Sequence, residues 1–135
     1  MDIIKATKVH SGEEIPWILN KNHFKVEQRE IVDCVDSGEL GVHVSSILWE
    51  RIGVGGCVLS HYHDVAEIIH ITSGNVKLLC NGEWKSFKSG DAFLVPAGTV
   101  HSVANDSCMP SEQISIFLPA EEGDVVNKQF NSFYC

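Results

Sequence analysis

The sequence predicts an all-β fold, a sandwich or barrel of short strands, and three observations carry that expectation. Apolar and β-branched runs are short and are broken at close intervals by Gly, Asn and Pro. No segment of ten or more residues holds a helical hydrophobic period. Asn81-Gly82 separates two such runs, Val76–Cys80 and Trp84–Phe87, and that dipeptide supplies the positive φ angles of a two-residue hairpin turn.

In chain order, Ile15-Pro16-Trp17-Ile18-Leu19 is a short apolar run containing a proline, which suits an edge strand or an arm packed on a neighbour. Phe24 to Val32 alternates loosely and is rich in charge, as a surface strand would be. Asp36-Ser37-Gly38-Glu39 reads as a turn. A long strand is expected over Val42–Ile52, ended by Gly53, Gly55 and Gly56, with a second from Cys57 to His63. A third runs from Glu67 to Thr72 and closes at Ser73-Gly74. After the hairpin, Ser89-Gly90-Asp91 is a turn, Ala92–Val95 a strand, and Pro96-Ala97-Gly98 a rigid turn. Val100–Ala104 and Glu112–Leu118 complete the set. The expected organisation is one domain: an N-terminal arm and strands over 1–40, a barrel over 41–120 and a polar tail over 121–135 that docks or swaps.

Composition narrows the function classes. At 135 residues the chain can bury a core without help from disulfides. A formal charge of −8, with ten scattered basic residues, argues against a nucleic-acid surface, which needs clustered Lys and Arg. No long apolar run marks a membrane span or a leader, so neither membrane nor export is expected. The five cysteines are odd in number and form no C-x-x-C pair, which favours reduced thiols and a cytoplasmic location. Cys80 reads as a small core residue and Cys135 as exposed. No Ser-His-Asp spacing or phosphate loop stands out, and no residue is assigned to an organic cofactor.

The residues that carry chemistry are concentrated in His61-Tyr62-His63-Asp64-Val65-Ala66-Glu67. Alternation on a strand puts His61 and His63 on one face, roughly 7 Å apart along the chain. Glu67 joins that face if the chain stays extended through Ala66. Two nitrogens and an oxygen on one wall form a partial coordination shell, and imidazole nitrogens hold metals at roughly 2.0–2.1 Å. A fourth ligand should come from a later strand facing the same interior, and His101, just after the Pro96-Ala97-Gly98 turn, fits.

Gly55, His61, His63, Glu67 and Gly74 read G-x5-H-x-H-x3-E-x6-G; Gly90, Pro96, Gly98, His101 and Asn105 read G-x5-P-x-G-x2-H-x3-N. These resemble the two cupin motifs at every position, and the fifteen residues between them (75–89) resemble the spacing of compact microbial cupins. The resemblance implies a cupin-type double-stranded β-helix, or jelly-roll barrel, with His61, His63, Glu67 and His101 as metal ligands and Asn105 structural. It also implies a homodimer, with the N-terminal apolar segment crossing to the partner. Three nitrogens and a carboxylate disfavour metals that seek soft thiolates. They match one divalent ion, Fe or Mn first, with Ni, Co, Cu and Zn compatible.

The remaining histidines, His10, His23, His43 and His70, read as ordinary surface or core residues. His70 faces away from Glu67 on a regular strand, and His43 is as well placed to line the pocket as not. Tyr62 reads as packing, and Trp49, Phe93 and Phe117 as core or pocket wall. Ser45 and Ser46 could line a pocket. The expected function is a metal-dependent enzyme acting on a small oxygen-rich metabolite, a non-haem dioxygenase before a lyase, decarboxylase or isomerase. A non-catalytic cupin that binds a small molecule or metal is the alternative from another class.

Overall fold

The computed structural model describes residues 3–119 and 130–135. The elements are β1 (Ile18–Leu19), β2 (Phe24–Val32), α1 (Cys34–Leu40), β3 (Ser46–His63), β4 (Ala66–Ser73), β5 (Asn75–Cys80), β6 (Glu83–Lys88), β7 (Ala92–Val95), β8 (His101–Ala104), β9 (Ser111–Leu118) and β10 (Ser132–Tyr134). Their pairings are all antiparallel and form one sheet in the order β6-β5-β8-β3-β9-β4-β7, with β2 and β10 also on β3 and β1 on β2. This sheet curls into the double-stranded β-helix expected from the sequence.

β3 organises the barrel, and here the structure corrects the expectation of two strands. Val42–Ile52 and Cys57–His63 are not separate: one strand of 18 residues starts at Ser46 and runs through the glycines. Its first part, Ser46–Ile52, pairs with β9 in register from Phe117 to Ser111. Its last part pairs with β8, His61 lying opposite His101. The glycines bend the strand between these two partners instead of ending it. Phe24 pairs with Cys57 but Val26 pairs with Ile52, so the intervening residues bulge. A Cβ on Gly56 would sit 2.8 Å from the Phe24 carbonyl oxygen, and Gly55 has φ +77°, so the bend needs residues without side chains.

The second correction concerns Asp36–Glu39, which lies in α1 and not in a turn. Seven residues make two helical turns, too few for a period to emerge from the sequence. Its signal is at its ends. The Asp33 side chain accepts from the Asp36 N–H, the Asp36 carboxylate accepts from the Asp33 N–H, and Gly41 closes the helix at φ +73°. At the hairpin, Asn81 and Gly82 take φ +53° and +81°, as their identities predict.

The main core cluster joins Val26, Ile52, Val58, Ile69, Ile71, Val76, Leu78, Phe93, Val95 and Val103, with Cys80 packed against it. Each fully buried aliphatic side chain contributes roughly 1.5–3 kcal/mol. Leu48, Val65 and Phe117 form a second cluster with Phe130. The other inward positions are polar: Glu50, His61, His63, Glu67, His101 and Gln113 are all buried. On β9 the alternation is inverted, with Ser111, Gln113, Ser115 and Phe117 facing in and Ile114, Ile116 and Leu118 half-buried on the outside. Trp49 lies neither in the core nor on the pocket wall. It packs edge-on against Trp17 at 5.2 Å, with the Arg29 guanidinium 5.1–5.2 Å from both rings.

Candidate metal centre

The end of β3 delivers His61 and His63 to one face, as alternation requires. The chain does not stay extended beyond them. It bends at Asp64-Val65 and enters β4, which presents Glu67 across the corner. His101 opens β8 directly opposite His61. The turn that aims it is fastened at both ends: Thr99 N–H donates to the Pro96 carbonyl, and Gly98 N–H donates to the His63 carbonyl at 2.8 Å. Asn105 is structural, its amide donating to the carbonyls of Ile52 and Met109.

The four expected ligand residues therefore meet. One donor atom from each of His61, His63, Glu67 and His101 lies within 4.8 Å of the others, and all four residues are buried. His61 Nε2 is 2.9 Å from His63 Nε2, Glu67 Oε1 is 3.1 Å from His63 Nε2, and the same oxygen is 3.0 Å from His101 Nε2. With bonds of 2.0–2.1 Å, neighbouring donors on an octahedral ion stand about 3.0 Å apart, and on a tetrahedral ion about 3.4 Å. The three observed edges are short enough for one ion to span, and His61, His63, Glu67 and His101 would hold it with room for further ligands.

The second nitrogen of each ring supports the same reading. His61 Nδ1 bonds to the Leu59 carbonyl, and His101 Nδ1 lies 3.0 Å from the Thr99 carbonyl. A carbonyl only accepts, so both rings carry a proton on Nδ1 and, when neutral, turn an Nε2 lone pair to the centre. His63 Nδ1 is 2.8 Å from Ser132 Oγ. Each imidazole is thus oriented from behind, as rings that hold a metal commonly are.

The electrostatics are those of a tight charge cluster. Burial alone would raise the Glu67 pKa, but hydrogen bonds from His101 and His63 outweigh it and hold the carboxyl down to about 2. Burial would lower His101, and Glu67 reverses that and raises it. Burial, with the charge on His101, pushes His61 down to about 4.

The centre lines a pocket of about 490 Å³, its open mouth included. Sequence reasoning missed much of the wall. His23 is there, its ring 5.2 Å from His61 and its Nδ1 accepting from the Leu59 N–H; burial pushes its pKa down to about 4. Glu50 faces in from β3, and a second irregularity in that strand, beyond the glycines, explains why it was overlooked. Even-numbered residues face inward from Ser46 through Val58 and odd-numbered ones at His61 and His63, the register shifting between Val58 and His61, so no single alternation connects them. Gln113 faces in from β9. The C-terminal segment closes the wall with Phe130, Ser132 and Tyr134. β10 pairs with β3 at His61–His63, and Phe130 stacks on Phe117 at 3.9 Å. Nothing in the sequence spacing linked residues 130–135 to the site.

Other expectations resolve plainly. His70 and His43 are exposed, and His43 precedes β3 altogether. His10 bonds Asp36 on the surface. Tyr62 points away from the centre and stacks on Phe133 at 5.0 Å. Phe93 is core and Phe117 pocket wall. Ser45 and Ser46 are buried beside a separate hollow near Glu30 and Cys34.

A family model described as "Cupin domain" matches residues 48–117, more than half of the chain. The chain belongs to the cupin family. Solved structures share its fold. A predicted oxalate decarboxylase from Thermotoga maritima is 20% identical over 83% of this chain and 99% of its own, with a TM-score of 0.72. The polyketide cyclase RemF from Streptomyces resistomycificus is 13% identical over 88% and 89%, at 0.70. KdgF from Halomonas sp. is 17% identical over 87% and 97%, at 0.68. At these identities the likeness concerns the fold alone. No curated protein matches the chain in sequence. Among the described residues, no helix is long and apolar enough to cross a membrane.

Proposed function

We propose that this cupin is a metal-dependent enzyme acting on a small oxygen-rich metabolite, with one divalent ion held by His61, His63, Glu67 and His101. The observation that carries the reading is the convergence of four buried donors, one from each residue, all within 4.8 Å of one another and with separations of 2.9–3.1 Å along three of the edges. Iron or manganese suits three imidazoles and one carboxylate best; Ni, Co, Cu and Zn are compatible. When bound, such an ion supplies Lewis-acid polarisation of a substrate oxygen and, with iron, redox chemistry with dioxygen.

The chain's own groups do the positioning. Leu59, Thr99 and Ser132 fix the three rings, and the Phe117–Phe130 stack excludes water from one side of the pocket. Oxygenation is the first reaction class, on the grounds of the donor set. Glu50 favours a second: it is a buried carboxyl in the same pocket whose pKa burial, with the charge on Glu67, raises to about 7. A group that exchanges a proton near neutrality suits lyase, decarboxylase or isomerase chemistry. The pocket chemistry and the charge of −8 suit a small-molecule partner, with no nucleic acid or membrane, in the cytoplasm. A homodimer has support from the outer face, where Ile47, Ile116, Ile68 and the 78% exposed Leu94 form one apolar row across four paired strands.

Metal analysis of protein loaded anaerobically with iron or manganese tests the centre. One ion per chain is expected, lost in His101→Ala; failure to bind either ion sinks the proposal. A panel of small acids and sugars followed with an oxygen electrode then separates the reaction classes. Product formed without oxygen uptake rejects the dioxygenase.

A further inference from the structure

The pocket contains a polar pair that the metal centre does not use. Glu50 on β3 and Gln113 on β9 are direct cross-strand partners, 5% and 2% exposed. Glu50 Oε1 accepts from Ser115 Oγ at 2.7 Å, and the Gln113 amide lies close enough to lower the Glu50 pKa. The other end of that amide is unmatched. Among the described residues, three buried side-chain atoms lack a hydrogen-bond partner, Ser45 Oγ, Ser111 Oγ and Gln113 Oε1, and of these residues only Gln113 lines this pocket. A buried polar atom left unpaired is costly, so an unpaired acceptor on a pocket wall calls for a ligand atom.

We propose that Glu50 and Gln113 form a hydroxyl-binding subsite, and that the substrate is a small hydroxylated carboxylic acid whose carboxylate lies at the His61–His63–Glu67–His101 centre. The inference deepens the proposed function and rests on it. A hydroxyl is the group that fits both orientations of the amide. With Oε1 unpaired, the hydroxyl donates to it. With the amide turned over, the hydroxyl accepts from Nε2. In either case its remaining capacity serves the Glu50 carboxyl. An ammonium offers only donors and is repelled by an ion at the centre, whereas a carboxylate is attracted to that ion. The apolar side chains that also line the pocket, Leu48, Val58, Ile69 and Val103, suit the short carbon chain of such an acid.

Butanoate and its 2-, 3- and 4-hydroxy derivatives, titrated calorimetrically into manganese-loaded protein, test the inference, with manganese measured on every preparation. At least one hydroxy acid should bind roughly tenfold more tightly than butanoate, because a site built around a hydroxyl is left with unpaired groups by the analogue lacking it. Gln113→Leu should abolish that preference with manganese content unchanged; Gln113→Met serves if the leucine variant does not fold. A preference below about threefold, or one that survives in the variant through chelation alone, overturns the subsite and leaves the metal centre standing. Protein that takes up no manganese or iron overturns the metal reading and this inference together.

Discussion

Removing the Ser132 hydroxyl should weaken metal binding without disturbing the fold. His61 and His101 are oriented by backbone carbonyls, which no substitution removes. His63 is oriented by a side chain, Ser132 Oγ at 2.8 Å, 69 residues away in sequence. In Ser132→Ala the His63 Nδ1 loses its hydrogen-bond partner, and the ring gains freedom to rotate and to change tautomer. Loss of such an outer partner typically lowers metal affinity 10–100-fold, which is about 1.4–2.7 kcal/mol. Stability should change far less. Ser132 is only partly buried, and β10 keeps its backbone pairing with β3. Competition against a chelator of known affinity reads the first quantity, and urea unfolding of the metal-free protein reads the second. Ser132→Thr, which retains a hydroxyl, should recover most of the affinity. A Ser132→Ala protein with affinity within about twofold of the parent would refute the assignment of His63 orientation to the C-terminal strand.

Three further outcomes are expected. Glu50→Gln should stabilise metal-free protein at pH 8 and leave it nearly unchanged at pH 4. The folded pKa is raised from 4.5 to about 7, so the native state holds an extra proton between those values and loses stability as pH rises through them. The gain is of order 3 kcal/mol at most, read as a shift in urea midpoint at the two pH values; equal shifts at both would contradict it. Gly74→Ala should cost more than Gly98→Ala. Both glycines have positive φ (+90° and +79°), but a Cβ on Gly74 meets Pro110 O and Ser111 Cα at 3.0 Å, while that on Gly98 meets open space. Backbone strain of roughly 1–2 kcal/mol applies to both and crowding of about 1–3 kcal/mol only to Gly74, so denaturation midpoints in the reverse order would be inconsistent with the contacts. Light scattering of the purified protein should give twice the chain mass; a monomer would show that the Ile47–Ile116–Ile68–Leu94 row is not a dimer face.

Local chemistry makes much of this protein legible in the sequence. Phe24–Val32 and Ala92–Val95 match their strands residue for residue, because a run of strand-forming residues bounded by turn formers needs no distant information. Asn81-Gly82 declared its hairpin through its own φ preferences. Histidines two apart share a strand face wherever that strand goes, so the pairing of His61 with His63 was readable, and the motif resemblance supplied Glu67 and His101. Where sequence reading stopped, the cause was a long-range constraint. The glycines at 53–56 read as a strand end because a flexible run looks the same whether it stops a strand or bends it. Only the partners of β3, β9 on one side of the bend and β8 on the other, choose between these.

The rest of the site belonged entirely to tertiary structure. β9 turns Gln113 and Ser115 inward and Ile114 and Ile116 outward, against the usual hydrophobic pattern, so no burial rule would place a glutamine beside Glu50. His23, Ser132 and Tyr134 reach the pocket from segments 38 or more residues away from His61, brought there by strand pairing with β3. By itself the sequence determined an all-β chain, because that follows from turn chemistry and alternation, and its resemblance to the cupin motifs singled out the four residues, His61, His63, Glu67 and His101, that the fold brings together. The folded chain alone decided what surrounds the donors, because that depends on register, on an irregularity in β3 that reverses which residues face inward, and on a C-terminal strand returning to the edge of β3.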